Sequence, residues 1–71
     1  MTEGTCSILV NGDPFELAAG SSVLDLLDRL GRDPRTVAIE LNGEVLPRDR
    51  LADVELAAGD RVEVVRFVQG G

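Results

Sequence analysis

Few residues in this chain can do chemistry unaided. It has no histidine to move protons near neutral pH, and its single cysteine, Cys6, has no imidazole to draw off its proton. Cys6 therefore reads as a small strand residue packed at a sheet. One cysteine without histidine also leaves no internal disulfide and no Cys/His metal cluster to build. The 13 carboxylates are scattered, with nothing to separate an acid–base pair from a solvated surface. Neither G-x-x-x-x-G-K-S/T nor G-x-G-x-x-G occurs, so the chain is not expected to bind a nucleotide itself. The informative group lies at the end, where the chain closes on Gly70-Gly71. Residues without Cβ atoms can thread a narrow channel and adopt backbone angles closed to others. That suits a main-chain carboxylate, on Gly71, which another protein's active site must reach. At ~7% average glycine usage, such a pair arises by chance roughly half a percent of the time.

The elements that must position this tail are legible as periods. Cys6, Ile8 and Val10 share one face of a first strand, and Asn11-Gly12 has the composition of a tight hairpin turn. Asp13-Pro14 reads as an extension of that turn, and Phe15-Glu16-Leu17 as the return strand. Ser22 is a good N-cap, and Asp25 completes a capping-box-like pair. Val23, Leu26, Leu27 and Leu30 then stand at i, i+3, i+4 and i+7, which predicts a helix over residues 22–30. Gly31 fits the position just past its end, and Pro34 stops the helix from restarting. Val37, Ile39 and Leu41 alternate as a third strand, Asn42-Gly43 turns, and Glu44-Val45-Leu46 returns until Pro47. Residues 48–54 read as a polar connection anchored by Leu51, and residues 61–68 as the last strand.

A single amphipathic helix must bury its stripe on the sheet, since nothing else is available. The expected fold is α+β, a β-grasp (ubiquitin-like) architecture. Its mixed sheet has four to five strands, with one principal helix on one face and the first and last strands side by side. The expected core is Ile8, Val10, Phe15, Leu17, Val23, Leu26, Leu27, Leu30, Ile39, Leu41, Leu51, Leu56, Val62 and Val64. Residues 1–68 form the domain and residues 69–71 a flexible tail. Alternation puts Leu9, Val65 and Phe67 on the uncovered face. They are expected to make one exposed apolar patch beside the tail, where a partner docks.

With 71 residues the chain is one small domain, and 44% hydrophobic residues in clear periods exclude disorder. A net charge of −6 repels phosphate backbones, and no basic stripe or aromatic platform offsets it. Nucleic acid is thus not an expected partner; a basic protein surface is the natural complement. No apolar run approaches the ~20 residues that span a bilayer. The lone cysteine and the absence of a signal-like start point to the cytoplasm.

Three segments carry a resemblance. They are Ile8-Leu9-Val10-Asn11-Gly12, the run Ala38-Ile39-Glu40-Leu41-Asn42-Gly43-Glu44-Val45-Leu46-Pro47-Arg48, and Val64-Val65-Arg66-Phe67-Val68-Gln69-Gly70-Gly71. In these the chain resembles the ThiS-type sulfur carriers of thiamin thiazole biosynthesis. The resemblance implies a protein co-substrate rather than an enzyme, with no bound cofactor or metal. An E1-like adenylating enzyme would use ATP to activate the Gly71 carboxylate. A persulfide donor would convert it to a thiocarboxylate, and thiazole synthase would take the sulfur. Two other readings share the fold and tail. One is a molybdopterin-synthase small subunit, which tends to be longer and to carry a Pro-Pro pair before its glycines. The other is a ubiquitin-like protein modifier. All seven basic residues are arginines, so a modifier of this sequence could not build lysine-linked chains on itself.

Overall fold

The computed structural model describes residues 4–67. Strands β1 (Thr5–Val10) and β2 (Asp13–Ala18) are followed by helix α1 (Val23–Leu30) and a short 3-10 turn, Pro34–Thr36. Strands β3 (Val37–Leu41) and β4 (Glu44–Leu46), a second 3-10 turn (Arg48–Arg50) and β5 (Arg61–Arg66) complete it. The five strands form one sheet in the order β2-β1-β5-β3-β4. Only β1 and β5 run parallel; the other pairs are antiparallel. This is the expected β-grasp arrangement, with the last strand at the centre.

Both hairpins close on the same chemistry. Asn11 and Asn42 sit at φ 51° and 52°, followed by Gly12 and Gly43 at φ 87°. Asparagine and glycine are the residues that tolerate this left-handed region. The turn is complete in two residues, so the ladder starts at once, with Val10 opposite Asp13 and Leu9 opposite Pro14. Asp13-Pro14 therefore belongs to β2 and not to the turn. Proline is accommodated because β2 is an edge strand, with one side free of ladder bonds.

The helix is closed at both ends. The Ser22 hydroxyl accepts from the Asp25 N–H at 3.0 Å, and the Asp25 carboxylate accepts from the Ser22 N–H at 2.9 Å. At the other end Gly31 turns left-handed at φ 70°. The Gly31 and Arg32 N–H groups donate to the carbonyls of Asp28 and Leu27, the paired bonds of a Schellman end. Pro34 does not merely prevent a restart. It opens the first 3-10 turn, where its missing N–H is not needed.

Val23, Leu26 and Leu27 are completely buried against Ile8, Ile39, Val62, Leu17, Leu51 and Leu56. Val37 and Cys6 join this core, Cys6 as the packed strand residue expected. Four expected core residues, Phe15, Leu30, Leu41 and Val64, are only partly buried. The eight-residue helix is about 12 Å long. It stops short of one end of the sheet, leaving a cleft walled by Phe15, Leu30 and Val64. Residues 48–54 do more than connect. The Leu51 and Val54 carbonyls accept the Leu24 and Val23 N–H groups at 3.0 Å, satisfying donors that a helix start leaves unpaired.

Candidate functional site at the carboxyl end

Gly70 and Gly71 lie outside the described residues, as do Val68 and Gln69. What the structure describes is the root of the tail and how it is held. Strand β5 is bonded to β3 along its whole length, from Leu41 opposite Val62 to Val37 opposite Arg66. Past the strand, the Phe67 N–H donates to the Thr36 carbonyl at 3.0 Å. On the other side β1 pairs with β5 only through Leu9 opposite Arg61 and Val10 opposite Val62, because β1 ends there.

Asn11 continues the ladder beyond that point. Its backbone N–H donates to the Val62 carbonyl at 2.9 Å. Its side-chain oxygen accepts from the Val64 N–H at 2.8 Å, and its side-chain nitrogen donates to the Val64 carbonyl at 3.3 Å. The amide thus offers Val64 both groups that a missing strand residue would have offered. Asn42 does similar work at the start of β5, accepting from the Arg61 N–H at 2.9 Å and donating to Asp60 at 3.1 Å. Sequence reasoning took both asparagines as turn formers only. The available signal was the choice of asparagine, which has an acceptor and a donor side by side.

The three residues expected to form a docking patch are all exposed: Leu9 at 36%, Val65 at 52% and Phe67 at 49%. The register does not bring them together. Leu9 stands opposite Arg61, whereas Val65 stands opposite Ala38 four residues farther along β5, roughly 13 Å at ~3.3 Å per residue. Val65 and Phe67 flank the root of the tail, and Leu9 lies at the other end of the strand. Arg61 and Glu63 separate them, and Glu63 faces Glu40 across the strands. Alternation identified the face correctly but could not supply the offset of a parallel pair. The most exposed large apolar residue among the described ones, Val45 at 68%, was missed. Its phase opposite to the half-buried Leu46 in β4 was the available clue.

One ion pair among the described residues lies near the root. Asp33 caps the first 3-10 turn and binds the Arg35 guanidinium at 2.9 Å. That side-chain bond, aided by the Arg35 backbone N–H, holds the Asp33 carboxyl down at about 2 and raises Arg35. Cys6 is buried and free, and no cluster of potential metal ligands occurs among the described residues. No helix among them is long and apolar enough to cross a membrane.

The chain matches the ThiS family over residues 8–71. It is 36% identical over 64 residues to the sulfur carrier protein ThiS of Thermus thermophilus, spanning 90% of this chain and 98% of that one. It is 39% identical over 64 residues to a thiazole synthase of Paramagnetospirillum magneticum, but spans only 20% of that protein's length. Among solved structures it matches the thiamine biosynthesis protein ThiS from Geobacter metallireducens. The TM-score is 0.79 and the identity 37%, covering 92% of this chain and 99% of that one.

Proposed function

The chain belongs to the ThiS family of sulfur carriers in thiamin biosynthesis, and from that premise we propose that its working group is the Gly71 carboxylate. A separate E1-like enzyme adenylates this carboxylate with ATP, releasing pyrophosphate. A carboxylate is a poor electrophile and the acyl-adenylate a good one. The terminal sulfur of a persulfide donor attacks the acyl carbon, and the bond to AMP breaks. A second thiol cleaves the resulting acyl disulfide and is itself oxidised into the new disulfide, leaving the Gly71 thiocarboxylate. Thiazole synthase takes this sulfur and returns the carboxylate. The chain is a recycled co-substrate that supplies no catalytic side chain.

The observation that carries this reading is the extent of the family match, which runs through Gly71 and so includes both terminal glycines. Similarity to thiazole synthases favours the thiazole pathway over molybdopterin synthesis. The intact mass of the protein tests it after incubation with the adenylating enzyme, ATP and a persulfide donor. An oxygen-to-sulfur exchange confined to the C-terminal peptide is expected. An unchanged carboxylate, or an isopeptide conjugate to another protein, would overturn the reading.

A further inference from the structure

The net charge is −6, yet the arginines are not spread evenly. Arg32 and Arg66 line both clefts that meet the root of the tail, one beside Val64 and one beside Phe67. Arg35 lines the second, and Arg29 lies 5.6 Å over the ring of Phe15 in the wall of the first. Two carboxylates, Asp13 and Asp33, line these clefts, Asp33 being already committed to Arg35, and Arg32 also borders a neighbouring cleft that holds Asp25 and Asp28. Arg32 and Arg66 form no ion pair among the described residues. An acidic body thus carries a basic collar at one end, around the half-exposed ring of Phe67.

We infer that Arg32 and Arg66 dock this end of the carrier onto a carboxylate-lined rim of the protein that processes its tail, with Phe67 as the apolar centre. The inference rests on the sulfur-carrier reading. Guanidinium groups are suited to paired bonds with carboxylates. Phosphate is the other acceptor they favour, but the ATP phosphates react at the Gly71 carboxylate. That group is four residues beyond Phe67, up to roughly 13 Å of extended chain. The collar is accordingly assigned to the partner's surface rather than to its nucleotide. The rest of the carrier is repelled by an acidic rim, so only the end bearing the tail is presented.

The test measures affinity of the full-length chain for the adenylating enzyme, by calorimetry at several salt concentrations. ATP–pyrophosphate exchange is followed in parallel with the wild-type chain. The Arg32→Glu/Arg66→Glu variant is expected to bind ~10-fold more weakly at ~0.05 M salt, with the loss shrinking at ~0.5 M. Arg50→Glu, on the second 3-10 turn, gives a single reversal to set against Arg32→Glu and Arg66→Glu singly; it is expected to change affinity less than ~2-fold. Both collar side chains are exposed and make no side-chain hydrogen bond among the described residues, so the thermal midpoint should hold. If wild-type exchange proceeds and the double variant binds as tightly as wild type, the collar is refuted and the carrier reading stands. Equal losses from Arg50→Glu and the collar singles would also refute it, reducing the effect to net charge. If the wild-type chain neither binds nor supports exchange, the carrier reading falls and the collar with it.

Discussion

Asn11 is the residue whose replacement should most directly loosen the tail-bearing strand without touching the core. Asn11→Ala removes the 2.8 Å and 3.3 Å bonds to Val64. A net bond of good geometry contributes about 1 kcal/mol, and the long one less. The residue also sits at φ 51°, where an ordinary side chain costs roughly 1–2 kcal/mol more than one suited to the left-handed region. The sum is about 2–3.5 kcal/mol, which for a domain of this size lowers Tm by roughly 8–28 °C. Two companion variants separate the causes. Asn11→Gly relieves the backbone cost but still loses both side-chain bonds, so about 1–1.5 kcal/mol should remain. Asn11→Asp keeps the acceptor for the Val64 N–H but turns a second oxygen toward the Val64 carbonyl in place of the donor, so it should lie between wild type and Asn11→Ala. Denaturant titration gives the order, and hydrogen exchange at the Val64 and Phe67 amides shows where the loosening occurs. If Asn11→Gly is as stable as wild type and Val64 stays equally protected, the amide does not hold β5 and the reasoning is wrong.

Leu27, completely buried on the helix stripe, should cost about 2–5 kcal/mol as Leu27→Ala; an unchanged Tm would remove it from the core. Phe67→Ala should weaken binding to the adenylating enzyme or thiazole synthase by about 1–3 kcal/mol with a much smaller stability loss. Collapse of stability at unchanged affinity would make Phe67 a core residue instead. Deleting Gly71, or replacing Gly70 by Val, should abolish ATP–pyrophosphate exchange and leave the fold intact, because neither changes a residue of the buried cluster; undiminished exchange would exclude Gly71 as the acceptor. The Asp33 carboxyl, held at about 2 by Arg35, lies below its unfolded value. Its bonds to Arg35 are therefore present above the unfolded value and are lost as pH falls toward 2. NMR should place its midpoint there, and Arg35→Ala should raise it only part of the way to the ordinary carboxylate range, because the backbone N–H of residue 35 still donates to it; a wild-type midpoint near 4 would contradict the pair.

What could be read from the sequence was what depends on near neighbours in the chain. The Val23/Leu26/Leu27/Leu30 stripe, the Ser22–Asp25 cap and the Gly31 end specify the helix almost to the residue, since each acts across one turn. The two Asn-Gly pairs specify both hairpins for the same reason. Long-range geometry was less legible. The offset of the parallel pair, which parts Leu9 from Val65, is set by contacts between residues some 50 positions apart. No local pattern records it. The Leu51 and Val54 carbonyls that satisfy the helix start were hidden likewise, because any residue offers a carbonyl and only the fold says where it points. At the site, the sequence showed the terminal glycines and the apolar residues near them, while the bonds of Asn11 and the clustering of Arg32 with Arg66 arise only from the folded arrangement.

Why the tail should leave from β5 follows from the sheet order. Chain ends usually fray, and a carboxylate drawn into another protein's channel would pull its own strand away if that strand lay at an edge. Here the last strand is the central one, bonded on one side by β3 and on the other by β1 and then Asn11. A parallel β1–β5 pair requires a long crossover, and that crossover includes the helix that buries Val62 and Ile8 beneath it. Pulling on Phe67 therefore loads hydrogen bonds to both neighbours and the centre of the core at once. If, as proposed, the last residues are handed between active sites, this connection is what would keep the body rigid meanwhile. The arrangement makes a specific demand. Substitutions at Asn11 that spare the fold should slow transfer only where the tail is under tension inside a partner, and leave cleavage of the free thiocarboxylate by a small nucleophile unchanged. Equal slowing of both would show that Asn11 acts on the reactivity of the end group and not on its anchorage.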